Sequence, residues 1–158
     1  MAIKINTEKR IFTLETKHTM YQMQADTYGV LRHLWYGAKT GCDMSYLQDY
    51  PDVGFSGNPH DAGNDRTYSL DTLPLEYAGA GIGDFRVPAV EAVHADGSCA
   101  LDLRYYSHTV KQGKYAIAGL PALYAGEDEA ETLEVVLRDT ASAVEVTLKY
   151  GVLPELDI

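Results

Sequence analysis

Four aspartates in a stretch rich in Gly, Pro and Asn have the side-chain type and spacing that could do chemistry. They form two candidate pairs, Asp49 with Asp52 and Asp61 with Asp65. Glycoside hydrolysis needs two carboxyl groups, about 5 Å apart in retaining enzymes and about 6.5 to 9.5 Å apart in inverting ones. Aspartate in this composition is also the usual residue of Asx turns. Neither pair therefore identifies a catalytic dyad.

Two further patterns resemble ligand sites only in part. The string HDAGND at residues 60–65 is rich in oxygen ligands, but it lacks the terminal Glu of a calcium loop and places Gly too early. The string GAGIG at residues 79–83 lacks the Lys-Ser/Thr of a phosphate loop. We predict neither a metal nor an organic cofactor. The histidines are dispersed and match no zinc motif: His18, His33, His60, His94 and His108.

Nucleophile motifs are equally incomplete. Ser56 lies in F-S-G-N, which differs from the G-x-S-x-G of the hydrolase nucleophile elbow. Cys42 and Cys99 stand alone, without C-x-x-C spacing, and are interpreted as free thiols in a reducing compartment. The residues thus define no stand-alone active site.

Residues 37–83 form a long excursion in which Gly, Pro, Asn and Asp recur and apolar periodicity is lost. Loops of more than about 12 to 15 residues are usually functional or disordered. Aromatic residues favour an ordered loop that offers a surface to a sugar or a partner, although tyrosines could instead cover the open face of a sheet. The aromatic residues are Tyr46, Tyr50, Phe55, Tyr68 and Tyr77.

Composition limits the class of protein. The chain has 158 residues with 23 acidic and 13 basic side chains, a formal net charge of −10, and 46% hydrophobic residues. This size predicts a single domain, residues 1–158. The charge argues against nucleic acid and anionic membrane as partners. Because no apolar run approaches the roughly 20 residues of a membrane span or forms a signal-peptide core, we expect a cytoplasmic protein.

Alternation with period two predicts the strands that position these residues. Three strands joined by short hairpins are expected before residue 37, and LEVVLRD and VEVTLKY predict a hairpin around residues 139–142. Further strands are expected near residues 89–93, 101–105 and 119–124. This pattern predicts an all-β antiparallel sandwich or barrel. Because no closing element follows Pro154, we expect a domain truncated at its C-terminal end.

Several long strings resemble one family in the same order and at similar intervals. They are NDRTYSLDTLPLEY at 64–77, GIGDFRVPAVE at 81–91, GLPALY at 119–124 and EAETLEVVLRDTASAVEVTLKYGV at 129–152. Together with residues 13–37 they resemble the N-terminal β-sandwich domain of the family 36 α-galactosidases. The resemblance implies a supersandwich-like antiparallel fold.

That resemblance also implies a function. In the family a (β/α)₈ barrel follows the sandwich and carries both catalytic aspartates, so the chain itself would hold no catalytic residue. The parent enzyme would be a homo-oligomer that hydrolyses terminal α-galactosides of the melibiose and raffinose type with retention, without a metal or an organic cofactor.

One substrate-binding residue follows from the resemblance. The string PDVGFSGNP at residues 51–59 is similar to the family's D-x-x-F-S-x-N-P loop, whose aspartate reaches the galactose hydroxyls, and here that residue is Asp52. Trp35 and Tyr36 match the family's aromatic pair and would order the loop or form the rim of the pocket.

The same interpretation applies to charged residues of two matched strings. Asp65 and Arg66 open D-R-T-Y-S-L-D-T, and Asp84 and Arg86 belong to D-F-R. We expect loop-ordering charge pairs, with Asp65 and Arg66 also candidates for the pocket rim.

The first hypothesis is a domain that contributes a loop to a sugar-binding pocket. Two other hypotheses are compatible with the sequence. One is an independent carbohydrate-binding β-sandwich module that holds sugar on its own exposed aromatics. The other is an assembly element whose loop contacts only subunits. They differ in whether residues 40–83 bind galactose in the isolated chain.

Overall fold

Short strands with alternating burial build two antiparallel sheets. The computed structural model describes residues 1–52 and 58–157. The first sheet is a meander in the order β1-β2-β3-β4, and the predicted hairpins between β2, β3 and β4 are confirmed. Its strands are β1 (Ile3–Asn6), β2 (Ile11–Glu15), β3 (Thr19–Ala25) and β4 (Leu31–Ala38).

The second sheet has the order β5-β6-β7. Its strands are β5 (Leu103–Gln112), β6 (Glu131–Asp139) and β7 (Glu145–Val152). The predicted β6–β7 hairpin is confirmed, and the Asp139 carboxylate caps its turn by accepting a hydrogen bond from the Ala141 N–H at 2.8 Å. Buried and partly buried residues alternate along most of β6, as expected of a strand with one face on the core.

The two sheets share one apolar core, so the predicted all-β antiparallel sandwich is confirmed. The fully buried Phe12 ring on β2 lies 5.8 Å from Tyr105 and 5.0 Å from His108 on β5, measured between ring centres. The Glu131 carboxylate on β6 accepts the Ala2 and Ile3 N–H groups at 2.9 Å. The core is completed by Leu14, Met23, Leu31, Leu133, Val135, Leu137 and Val152.

Three strand predictions were wrong. The first sheet has four strands rather than three, because β1 has only four residues, too few for its alternation to stand out. Residues 89–93 make a single isolated bridge, between Val90 and Gly79, and Val93 is 78% exposed. Residues 119–124 form no strand, and Leu120 and Tyr124 are exposed. In residues 89–93 and 119–124 the alternating apolar residues do not form a buried face, and such a face is what stabilises a strand.

The segment between β4 and β5 contains two single-turn 3₁₀ helices in its described part, Ser45–Leu47 and His60–Ala62. It packs around a small second core and attaches to β4 through the His33 N–H, which donates to the Pro74 carbonyl at 2.8 Å. A third 3₁₀ turn, Pro154–Leu156, follows β7. No helix in residues 1–52 and 58–157 is long and apolar enough to span a bilayer. The small core consists of Val30, Ala62, Tyr68, Leu70 and Leu73.

Candidate functional site

Asp52 and Arg66 face each other across the segment that carries the predicted site. The Arg66 Nε and Nη2 atoms each lie 3.0 Å from Asp52 Oδ1, and both side chains are about 60% exposed (Asp52 60%, Arg66 62%). Asp52 also takes part in a contact beyond this ion pair. Phe55 and Ser56 of the predicted loop motif lie outside the described residues. Asp52 is the first residue of that motif and Arg66 follows its last residue, Pro59, so their contact links the start of the motif to the chain that comes after it.

Asp65 orders the turn that presents Arg66. Its Oδ1 accepts hydrogen bonds from the Thr67 hydroxyl at 2.7 Å and the Thr67 N–H at 2.9 Å. These two donors hold the Asp65 pKa below its usual value. The Asn58 side chain donates to the Asp65 carbonyl oxygen. Asp61 instead lies 3.8 Å from the Arg104 guanidinium, so the members of this candidate carboxylate pair have different partners.

Trp35 and Tyr36 occupy successive positions of β4. Trp35 is half-buried; its ring lies against Gly37 and its Nε1 donates to the Ala38 carbonyl at 3.3 Å. Tyr36 is 67% exposed, with its ring centre 6.0 Å from that of Tyr21. Tyr36 lines a surface groove of about 330 Å³ between the two sheets. Other residues of this tyrosine groove are Tyr21, Tyr115, Lys149, Tyr150 and Asp157.

A buried arginine, which the sequence analysis missed, holds the chain just before Asp52. Arg32 on β4 is 5% exposed, and its Nη1 donates to the Tyr50 hydroxyl. The guanidinium carbon lies 5.5 Å from the centre of the Tyr50 ring, within cation–π range. Its Nη2 donates to Gln24 Oε1 at 3.2 Å, and its Nε lies 3.6 Å from Asp26 Oδ2.

Asp26 holds the chain just after Arg66. Its Oδ1 accepts the Tyr28 and Val30 N–H groups, each at 2.9 Å, and its Oδ2 accepts the Tyr68 hydroxyl at 2.5 Å. Burial and this contact with the Asp26 carboxylate raise the Tyr68 pKa well above its ordinary value. The sequence analysis did not identify Asp26, which lies in the turn between β3 and β4.

A second buried carboxylate was also missed. Glu76, whose side chain is 8% exposed, accepts the Tyr21 hydroxyl at 2.6 Å and the Tyr150 hydroxyl at 2.7 Å. His33 Nδ1 lies 3.5 Å from the same carboxylate. No sequence motif marks this cluster, because its members come from three strands and the segment between β4 and β5.

Asp84 and Arg86 form the loop-ordering pair that their strings suggested. Arg86 Nε lies 2.8 Å from Asp84 Oδ1, and Nη2 lies 2.9 Å from Oδ2. The same Nη2 donates to the Leu70 and Leu73 carbonyls at 2.9 and 2.7 Å. Arg86 thus links Asp84, through a bidentate contact, to the backbone of two residues of the small second core, Leu70 and Leu73.

Neither a metal cluster nor a disulfide occurs among the residues that the structure describes. No three His, Cys, Asp or Glu side chains come together there, and Cys42 and Cys99 are separate exposed thiols. The described sheets also form no barrel.

Comparison with known proteins agrees with this geometry. The chain is 53% identical over all of its 158 residues to the bifunctional α-galactosidase/sucrose kinase AgaSK of Mediterraneibacter gnavus, of which it covers 17%. The structure of the AgaSK galactosidase domain matches with a TM-score of 0.94 and 53% identity, over 98% of this chain and 21% of that one. A variant of the α-galactosidase AgaA from Geobacillus stearothermophilus, solved with raffinose, matches with a TM-score of 0.85 and 40% identity, over 92% and 20%.

The chain thus spans about a fifth of the length of these relatives. Residues 29–158 match the description "Glycosyl hydrolase family 36 N-terminal domain". The resemblance that the sequence strings carried is therefore confirmed, and the chain belongs to the N-terminal domain family of the family 36 glycosyl hydrolases.

Proposed function

We propose that this chain is the non-catalytic N-terminal domain of a retaining α-galactosidase that acts on terminal α-galactosides of the melibiose and raffinose type. One observation carries the proposal: relatives that match nearly the whole chain are α-galactosidases about five times as long. Catalysis would then belong to a barrel domain of the parent enzyme, which we propose is a cytoplasmic homo-oligomer.

Within that enzyme, Asp52 would accept hydrogen bonds from galactose hydroxyls. Its carboxylate is 60% exposed and lies 3.0 Å from Arg66 Nη2. An exposed ion pair of this kind contributes little to folding stability, typically about 0 to 1 kcal/mol. Its main effect is therefore on the orientation of the carboxylate. Paired sugar hydroxyls are suitable hydrogen-bond donors to a carboxylate.

The test is substitution in the full-length enzyme that carries this domain. Asp52→Ala is expected to lower kcat/KM for a nitrophenyl α-galactoside about 5-fold to 150-fold, because a lost hydrogen bond to a charged group costs roughly 1 to 3 kcal/mol. Asp96→Ala is the matched control, since Asp96 is an exposed aspartate that makes an Asx turn with Ser98 at 2.9 Å. An unchanged kcat/KM for Asp52→Ala would remove this residue from the pocket.

The tyrosine groove favours a second candidate function, an independent carbohydrate-binding module. Tyr21, Tyr36 and Tyr150 present rings along one surface of about 330 Å³, and Lys149 and Asp157 supply polar groups at its rim. Aromatic faces beside polar groups are a common platform for sugar rings. This candidate requires the isolated chain to bind sugar, whereas the first does not.

A further inference from the structure

We propose that the buried Asp26–Arg32 pair is a positioning device that sets where Asp52 stands. This inference rests on the proposed role of Asp52 in galactoside binding. It concerns two arms of the segment between β4 and β5: a first arm, residues 39–52, and a second arm, residues 58–76. Asp26 lies in the turn that follows β3, and Arg32 lies on β4, so neither residue belongs to either arm.

Arg32 holds the first arm through Tyr50. The guanidinium donates a hydrogen bond to the Tyr50 hydroxyl, and its carbon lies 5.5 Å from the centre of the same ring, so Arg32 restrains the Tyr50 side chain. Tyr50 stands two residues before Asp52. Since one residue spans at most about 3.6 Å, fixing Tyr50 confines the Asp52 backbone to within about 7 Å of it.

Asp26 holds the second arm through Tyr68. The Tyr68 ring is 5% exposed, its hydroxyl donates to Asp26 Oδ2 at 2.5 Å, and its ring centre lies 4.7 Å from that of Tyr28. Tyr68 stands two residues after Arg66, whose guanidinium contacts Asp52. The two arms are therefore held symmetrically, each by a tyrosine two residues from one member of the Asp52–Arg66 pair.

The two members of the pair are buried side by side, with Arg32 Nε 3.6 Å from Asp26 Oδ2. The side chains of Arg32 and Asp26 are 6% and 5% exposed, and Asp26 Oδ1 is fixed by two backbone N–H groups. A third charged residue, Arg104, donates a hydrogen bond at 3.0 Å to the carbonyl oxygen of Tyr28 in the β3–β4 turn. In this low-dielectric surrounding, polar contacts are strong and costly to break. A displacement at Asp26 or Arg32 would thus move both arms together.

The experiment removes only the two hydroxyl groups. Tyr50→Phe and Tyr68→Phe are made singly in the full-length enzyme, and each is also combined with Asp52→Asn. Each single variant is expected to raise KM for a nitrophenyl α-galactoside about 3-fold to 10-fold with kcat changed less than about two-fold, because it loosens binding and leaves the chemistry intact. In the Asp52→Asn background the same variants should raise KM little further, since residues that act as one unit are not additive. Tyr124→Phe, at a 92% exposed position, is the control.

The outcomes separate this inference from the proposed function. If Asp52→Asn raises KM but the two tyrosine variants do not, the positioning role is overturned and the function stands. If the tyrosine effects add in full to that of Asp52→Asn, they act through general stability, and the positioning role is again overturned. If Asp52→Asn leaves KM unchanged, both fail. Loss of the tyrosine effects in the Asp52→Asn background supports both.

Discussion

Glu76 and Tyr150 connect the long segment between β4 and β5 to the second sheet. The Tyr150 hydroxyl on β7 donates to Glu76 Oε1 at 2.7 Å, and the Tyr21 hydroxyl on β3 donates to the same carboxylate at 2.6 Å. One buried carboxylate therefore ties together both layers of the sandwich and the segment that carries the candidate site.

Removing the Tyr150 hydroxyl should weaken the whole fold. Tyr150→Phe leaves the ring in place but deprives Glu76 of one donor, so we expect the free energy of unfolding to fall by about 1.5 to 3 kcal/mol. The measurement is urea unfolding of the chain, followed by circular dichroism. Tyr124→Phe, which alters an exposed hydroxyl, should change the midpoint little. Equal midpoints for the two variants would show that the Glu76 contact is not stabilising.

Stability should decline in alkali. Burial, together with the neighbouring Glu76 or Asp26 carboxylate, raises the pKa of Tyr21, Tyr68 and Tyr150 well above their ordinary value. When the pKa of a tyrosine is higher in the folded state than in the unfolded state, that tyrosine stabilises the fold. Its contribution to stability is complete below about pH 10, the pKa of an unfolded tyrosine, and is lost as the pH rises further. Each of these tyrosines should therefore subtract about 1.4 kcal/mol per pH unit above that point.

Absorbance of tyrosinate at alkaline pH checks this prediction. The phenols of Tyr21, Tyr68 and Tyr150 should ionise in one cooperative step that coincides with loss of circular dichroism. Smooth ionisation of all twelve tyrosines near pH 10, with the fold intact, would contradict it.

Gly79 should not tolerate a side chain. A Cβ at this position would lie 2.3 Å from the Leu101 carbonyl oxygen and 3.1 Å from the Leu101 Cβ, both part of a fully buried residue. Because a backbone atom cannot move aside cheaply, Gly79→Ala should lower the free energy of unfolding by about 1 to 3 kcal/mol. Gly126→Ala is the control, since its nearest neighbours are flexible acidic side chains. Calorimetry gives the melting temperatures of Gly79→Ala and Gly126→Ala. Similar melting temperatures for the two variants would disprove the steric argument.

Arg86 should not be replaceable by lysine. Arg86 contacts both oxygens of Asp84 and two carbonyls, which a single ammonium group cannot reproduce. Arg86→Lys should therefore lower the free energy of unfolding by about 1 to 3 kcal/mol and speed amide exchange in residues 68–75. Arg66→Lys, at an exposed ion pair, is the comparison and should change stability by less than about 1 kcal/mol.

The same pair predicts an acid dependence. Burial raises the Asp84 pKa, but the hydrogen bonds and charge of Arg86 outweigh burial and leave that pKa below its usual value. A lowered folded-state pKa stabilises the protein above the unfolded pKa, near 4, and that contribution is lost as pH falls below it. The free energies of unfolding of the wild type and of Asp84→Asn should therefore converge at low pH. A constant difference between them from neutral pH to pH 2 would contradict this assignment.

The sandwich was predictable from the sequence where one face of a strand is buried over five or more residues. This holds for most of β3 and β6, and in part for β7, where Val146, Leu148 and Tyr150 are partly buried against the core. It fails for β1, which is too short, and near Val93, where apolar residues are exposed. The spacing of apolar residues reflects only the local sequence, whereas the burial of a strand face depends on which element packs against it.

The candidate site was predictable only in part. Asp52 and Arg66 were identified through matched strings, and the structure brings them into contact. Asp26, Arg32 and Glu76 were missed, because a charged residue in a strand or turn has no local signature of burial. Their partners are tyrosines 18 to 74 positions away, and sequence spacing cannot reveal such contacts.

We propose that this chain serves a galactosidase without binding or cleaving sugar on its own. The most direct measurement is an NMR titration of the 158-residue chain with galactose and melibiose, combined with a hydrolysis assay on a nitrophenyl α-galactoside. We predict no hydrolysis and no saturable shifts at Asp52, Tyr50 or the tyrosine groove. Saturable shifts without hydrolysis would establish the binding module instead, and measurable turnover would contradict the claim that the catalytic residues lie outside this chain.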